Sequence, residues 1–348
     1  MIDFFRTLKI YVSLSMITVS LRKFKFIRNK PLQNFIVNVV KAIVMFALIK
    51  LLAVYGGPAS LASFANFQNL IGIMLVLATL SLQTGLTIET AKNASSLEPL
   101  ITCICIIFLL IPFILFAVYF FLESLMLAND LLSTDSYFLY LTILILPFSA
   151  NSLLVASEVG RQRYSNILVN YVLIGIFPLI TFVFAKNDFL DEIITGYCFG
   201  NWVGAIFLCR RIGVVPTLFF NFKVSKKILV SMLRYGMMSG IIGIMTAILA
   251  FIMRYYLTED VSLEVAGYWE SLFKIGLLFQ FCIATPLIST GLPLMVLALK
   301  VGKKDIISLL KGRIKTLFIL TVLSITFTWM FSDWIVLFLF SEDFLPIS

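Results

Sequence analysis

The chain has 348 residues, 61% hydrophobic and 13% charged, with 27 Lys and Arg against 18 Asp and Glu and no histidine. A mean hydropathy of +1.04 excludes an ordinary soluble domain, and the missing histidine excludes His-based acid–base catalysis and His-ligated metal sites. The net charge of +9 is spread over separate loops, which argues against a nucleic-acid surface.

Residues 1–30 hold an apolar run, Ile10 to Leu21, with basic residues on both sides. The run is too short to span, and Arg22-Lys23-Phe24-Lys25 stands where a signal peptide would show small residues. An interfacial helix on anionic lipid is expected, with a disordered basic tail as the alternative.

Nine apolar stretches follow, at 31–54, 64–84, 100–122, 137–157, 164–185, 193–210, 229–257, 266–292 and 314–332. A helix needs roughly 20 apolar residues to cross the hydrocarbon core, and lipid forces each crossing segment to satisfy its own backbone. The expectation is an all-α polytopic membrane protein of about nine transmembrane helices. Its parts would be a basic segment at 1–30, a complete six-helix lobe at 31–211, a basic linker at 212–228 and a partial lobe of about three helices at 229–348.

The loops alternate in charge. Arg161 and Arg163, then Arg210, Arg211, Lys226 and Lys227, then Lys303, Lys304 and Lys311 mark one side. Asp188, Asp191 and Glu192, then Glu259, Asp260 and Glu264 mark the other. The basic side faces the cytoplasm by the positive-inside rule, so the N-terminus lies inside and a ninth span ends outside.

Covalent chemistry finds no carriers. The five cysteines (Cys103, Cys105, Cys198, Cys209 and Cys282) fall in or at the ends of apolar stretches and read as inert buried thiols. There is no Walker loop, no GxSxG and no second CxC to complete a zinc site. No enzyme, metal or cofactor is expected.

What remains is polarity inside the membrane, where ionisable residues are costly and mark function by default. Lys41 lies near the middle of the first span and is too central to reach the interface. Lys50 lies towards its outer end, where it either snorkels or faces a cavity. Glu270 and Lys274, four apart on one face of the eighth span, either neutralise each other or act in a cavity. Asn66, Gln68, Asn69 and Gln83 lie in the second span; Asn170 and Asn201 read as helix-to-helix hydrogen bonds.

A repeat ties these residues together. A constant offset of 204 relates Lys50, Ala62-Ser63-Phe64 and Ile71-Gly72 to Arg254, Ala266-Gly267-Tyr268 and Ile275-Gly276. Asn66 then falls opposite Glu270, and Leu70 opposite Lys274. An interval of six spans keeps the two copies parallel, the arrangement of transporters with two lobes around a central cavity.

Lys41, Lys50 to Val54, Gly57-Pro58-Ala59 and Ala65 to Ile71 resemble the opening of the Wzx-type flippases, the O-antigen and lipid III translocases. These belong to the multidrug/oligosaccharidyl-lipid/polysaccharide exporter (MOP) superfamily. Gly267-Tyr268-Trp269 through Phe281, Leu292-Pro293 and Trp334 to Leu339 resemble the later part of the family. The resemblance implies a bacterial inner-membrane flippase that carries an undecaprenyl-pyrophosphate-linked oligosaccharide to the periplasmic leaflet. Lys41 and Lys50, with Arg254, would hold the pyrophosphate; Asn66, Gln68, Asn69 and Gln83 would hold sugar hydroxyls. Glu270 and Lys274 match no polar position of the family; an acid such as Glu270 would serve coupling by proton exchange, unless Lys274 only pins it, and other polysaccharide-assembly proteins are the expected partners. The family usually has twelve spans, so a second lobe lacking its last three helices is expected. A cation exporter of the same superfamily and a truncated, non-transporting subunit are the rival readings.

Overall fold

The computed structural model describes residues 30–107, 135–184, 189–213, 226–280, 283, 285, 303–342 and 344. The expected interfacial helix within 1–30, the second half of the third span, most of the 212–228 linker and the end of the eighth span lie outside them. The described residues are helical throughout: α1 (Lys30–Thr79), α2 (Leu82–Lys92), α3 (Glu98–Ile107), α4 (Asp135–Gly160), α5 (Tyr164–Phe184), α6 (Phe189–Ile212), α7 (Lys226–Tyr256), α8 (Leu263–Phe279), α9 (Lys303–Met330) and α10 (Ser332–Leu339). A π-helical turn, Leu257–Val261, links α7 to α8. The protein is an all-α polytopic membrane protein. Among the described residues four helices are long and apolar enough to cross a membrane, five if α9 and α10 are taken as one bent pair.

Two of the expected spans share α1. Fifty residues at 1.5 Å each would reach roughly 75 Å, more than twice the hydrocarbon thickness. The helix is broken at Gly57, whose φ of 66° and ψ of −169° no residue with a side chain adopts cheaply. Pro58 follows, at the first position of the second arm, where its missing N–H costs nothing. The 204-residue offset carries Gly57 to Val261, the last residue of the π-helical turn, after which Ser262 caps α8 by accepting from the Val265 N–H. The two copies therefore break at matching places.

The second expected span is itself interrupted. Leu80 and Ser81 both take left-handed conformations (φ 47° and 52°) between α1 and α2. No glycine or proline announces this corner. It lies against α7 at Gly236 and Gly240, and the Ser239 hydroxyl donates to the Ser81 carbonyl at 3.5 Å. The ninth span, expected at 314–332, corresponds to the apolar part of α9, which ends at Met330; α10 then leaves it at 86°.

The main core joins both arms of α1 to α2, α4 and α6 through Leu52, Phe64, Phe67, Met74, Leu86, Leu153, Ile193 and Leu208. A second core gathers Phe46, Ile49, Ala53 and Leu61 of α1, Ile275 of α8, and Ile335, Val336, Leu339, Phe340 and Phe344. At the turn, Gly267 of α8 faces the Pro58 backbone with no room for a side chain. These contacts bring the second arm of α1 alongside α7 and α8.

Candidate functional site

Arg254 in the last turn of α7 and Glu270 in α8 stand on opposite sides of the π-helical turn. The Arg254 Nε donates to Glu270 Oε2 at 2.7 Å, and the guanidinium also pairs with that carboxylate through Nη2. Lys274, one turn further along α8, lies 3.0 Å from the other carboxylate oxygen. Both cations also reach α1: Arg254 Nη1 donates to the Ala65 carbonyl at 3.0 Å, and Lys274 Nζ to Gln68 Oε1 at 2.7 Å. Trp269 covers the guanidinium, with 5.6 Å to its ring centroid. Arg254, Glu270 and Lys274 are 2%, 0% and 3% exposed. A buried charge persists only when it is paired, and here one carboxylate is shared by two cations: Oε2 accepts from Arg254, while Oε1 is held by the Lys274 charge without a hydrogen bond.

The other residues singled out from the sequence are placed as follows. Asn66 and Asn69 flank Gln68 on the same arm and are half-buried; the Asn69 Nδ2 has no hydrogen-bond acceptor. Gln83 donates to the Ser152 hydroxyl at 3.1 Å, joining α2 to α4. Lys41 lies 5.1 Å from the centre of the Tyr171 ring of α5. Lys50 donates to the Leu337 and Phe338 carbonyls at 3.3 and 2.6 Å, at the C-terminal end of α10. That end carries free carbonyls and partial negative charge, so an ammonium suits it. Nine residues at 100° each turn Lys41 and Lys50 to opposite sides of the helix, and their partners lie accordingly on different elements. The nine sequence-predicted residues thus separate into one cluster (Arg254, Glu270, Lys274 and Gln68), two amides near Gln68 on the same arm (Asn66 and Asn69) and three outlying positions (Lys41, Lys50 and Gln83).

Lys50→Met is expected to cost about 1 kcal/mol by leaving the α10 carbonyls without their charged donor. Limited proteolysis would read it as faster cleavage after α9, with the remaining helices unaffected.

Of the amides, Asn151 donates to Asn201 at 3.3 Å, the helix-to-helix bond expected. Asn170 is fully buried and has no hydrogen-bond partner on either side-chain atom. A cavity of about 620 Å³ opens between α8 and α9, lined by Leu272, Ile275, Phe279, Ile325 and Trp329 among others; none of the five charges lines it. Among the described residues no group of three or more His, Cys, Asp or Glu is placed to hold a metal ion.

Polar contacts not anticipated from the sequence lie near the basic side. Glu89 of α2 accepts from the Ser231 hydroxyl of α7 and from Lys92 at 2.6 Å. Glu158 accepts from Asn166 and lies 3.8 Å from Arg161, whose Nη2 reaches the Ser96 carbonyl at 3.1 Å. Each acid falls three residues before a basic residue at a predicted inner loop, a signal the loop charges had masked.

No family model and no curated protein matches the chain. Solved structures do. A MATE crystal structure in the straight conformation superposes with a TM-score of 0.68 at 15% identity, over 92% of this chain and 78% of that one. The fold is that of the MATE and MOP-superfamily transporters. A multidrug resistance MATE transporter in an outward-facing conformation gives 0.69 at 16% identity, over 91% and 76%. A MOP-superfamily transporter from Pyrococcus furiosus gives 0.70 at 17% identity, over 91% and 75%; its binding pocket is described as having reversed polarity that suggests a different function. The MATE-like fold places the Arg254 cluster where the second arm of α1 meets α7 and α8.

Proposed function

We propose that the chain is a MOP-fold transporter whose cargo is anionic: a flippase for an undecaprenyl-pyrophosphate-linked oligosaccharide, moving it from the cytoplasmic to the periplasmic leaflet. The supporting observation is the sign of the charge at membrane depth. Lys41, Lys50, Arg254 and Lys274 are basic, offset by Glu270; the acids Glu89 and Glu158, near the C-terminal ends of α2 and α4, are each paired with a basic residue of their own, Lys92 and Arg161. A cationic drug would be repelled by that excess, whereas a pyrophosphate needs it to leave water. The transporter with reversed pocket polarity supports treating that sign as a guide to function within this fold. The neutral amides Asn66, Gln68, Asn69 and Gln83 suit sugar hydroxyls. The bacterial inner membrane, a cytoplasmic N-terminus, a six-helix lobe at 31–211 with a partial lobe at 229–348, and polysaccharide-assembly partners belong to the same reading.

A cation exporter is the second reading, favoured by the likeness to a multidrug resistance transporter. The test is complementation of a strain lacking its O-antigen or lipid III flippase, using several repeat units. Surface polymer is expected with the intact chain and is expected to disappear in Lys41→Ala at equal expression. Raised resistance to cationic drugs without polymer would select the exporter. Polymer retained in both Lys41→Ala and Lys50→Ala would refute a cationic path.

A further inference from the structure

The Arg254 cluster carries two cations and one anion at the bottom of a seam between helices, a surplus positive charge with almost no exposure. We propose that it is a binding site for a phosphate or pyrophosphate group, and that Glu270 is its internal ligand, occupying it and holding it shut in this conformation. The proposal rests on the reading above and deepens it by locating the phosphate.

The donor set is what a phosphate requires. A guanidinium presents two parallel N–H groups and an ammonium adds a third direction; here the two guanidinium nitrogens meet Oε2 of one carboxylate and the ammonium lies by its Oε1. A carboxylate can occupy a phosphate's place because it offers the same bidentate edge with fewer oxygens and less charge. The indole of Trp269, 5.6 Å from the guanidinium carbon, is a contact of Arg254 that does not involve the Glu270 carboxylate. It stays beside the guanidinium when the carboxylate leaves.

The same contacts explain the consequence of exchange. Arg254 and Lys274 hold the second arm of α1 only through neutral acceptors, the Ala65 carbonyl and the Gln68 amide oxygen. An entering phosphate supplies stronger acceptors, frees both cations from α1 and carries off the surplus charge. Phosphate binding and parting of α1 from α8 are then one event. Glu270 is thereby a competitor for the anion, not a carrier of protons.

A competitor makes a prediction of unusual sign. The full chain in phosphatidylcholine nanodiscs is titrated with inorganic pyrophosphate and, separately, with farnesyl pyrophosphate. Glu270→Gln is expected to bind about tenfold more tightly than the intact chain, since the displaced carboxylate is gone. Its melting temperature, lowered in pyrophosphate-free buffer, is expected to recover on adding the probe. Glu270→Gln/Lys274→Gln is expected to lose the gain in affinity. A gain with either probe supports the site; confined to farnesyl pyrophosphate it marks a lipid-linked anion, and with both it marks the anion alone. Unchanged or weaker binding in Glu270→Gln overturns the proposal. Should that variant resist purification, Glu270→Asp, which retracts the carboxylate by one methylene, must bind more tightly than the intact chain or the proposal falls. Complementation keeps the two readings apart: polymer without the affinity gain sinks this site alone, and the gain without polymer sinks the oligosaccharide reading alone.

Discussion

Glu270→Leu is expected to destabilise the protein by about 3–5 kcal/mol, the cost of leaving buried charges unpaired. It would strand two cations, Arg254 and Lys274, which are 2% and 3% exposed. The effect is read as a lowered melting temperature in phosphate-free buffer. The triple variant Arg254→Met/Glu270→Leu/Lys274→Met removes all the charge and is expected to melt above the single variant, because uncharged side chains of similar length fill the same space without a desolvation cost. The Gln68 and Ala65 acceptors would then lose donors but leave no buried ion. A triple variant less stable than Glu270→Leu would show that the three charges act independently.

The second large effect is steric. A Cβ on Gly85 would lie 2.5 Å from the Met232 carbonyl oxygen and 2.6 Å from its Cα. Both neighbours are backbone, so no rotamer change relieves the clash and α7 must retreat from α2. Overpacking of this kind costs about 1–3 kcal/mol. Gly85→Val is expected at the upper end, because the same displacement pulls Ser231 from Glu89 and Met232 from Cys103, whose sulfurs are 3.5 Å apart. Gly72→Ala is the control: its Cβ meets nothing within 4 Å, and the substitution gains helix propensity, so its melting temperature should hold or rise slightly. Equal melting temperatures for the two variants would contradict the close approach of α2 and α7.

Much of the fold was legible because lipid leaves few choices. Spans declare themselves by length and hydropathy, and Gly57-Pro58 declares a break by backbone chemistry. The Arg254–Glu270 pair was not anticipated, Glu270 having been matched with Lys274, although each lies eight residues from Ser262, on opposite sides of it, and hence at equal depth in an antiparallel pair. The opposite facing of Lys41 and Lys50 follows from their spacing of nine. What the sequence withheld were contacts between distant elements. Nothing in the spacing of Gln68 and Lys274, 206 residues apart, joins them. The 86° bend between α9 and α10 has no glycine or proline in the residues around Phe331 to announce it. The corner at Leu80–Ser81 uses residues common in any span, and its cause lies in the partner helix.

That corner constrains motion. The left-handed pair at Leu80 and Ser81 sits opposite two residues without side chains, Gly236 and Gly240, spaced one helical turn apart. Shifting α7 lengthwise by one turn would bring Met232, on the same face four residues before Gly236, against the corner, where there is space for a glycine only. The peg and its notch act as a detent: they oppose sliding of α7 along α1 and α2 but leave tilting about the notch free. Any rearrangement of these helices is therefore a pivot, with the Glu89–Ser231 contact on one arm of the lever and the Arg254 cluster on the other.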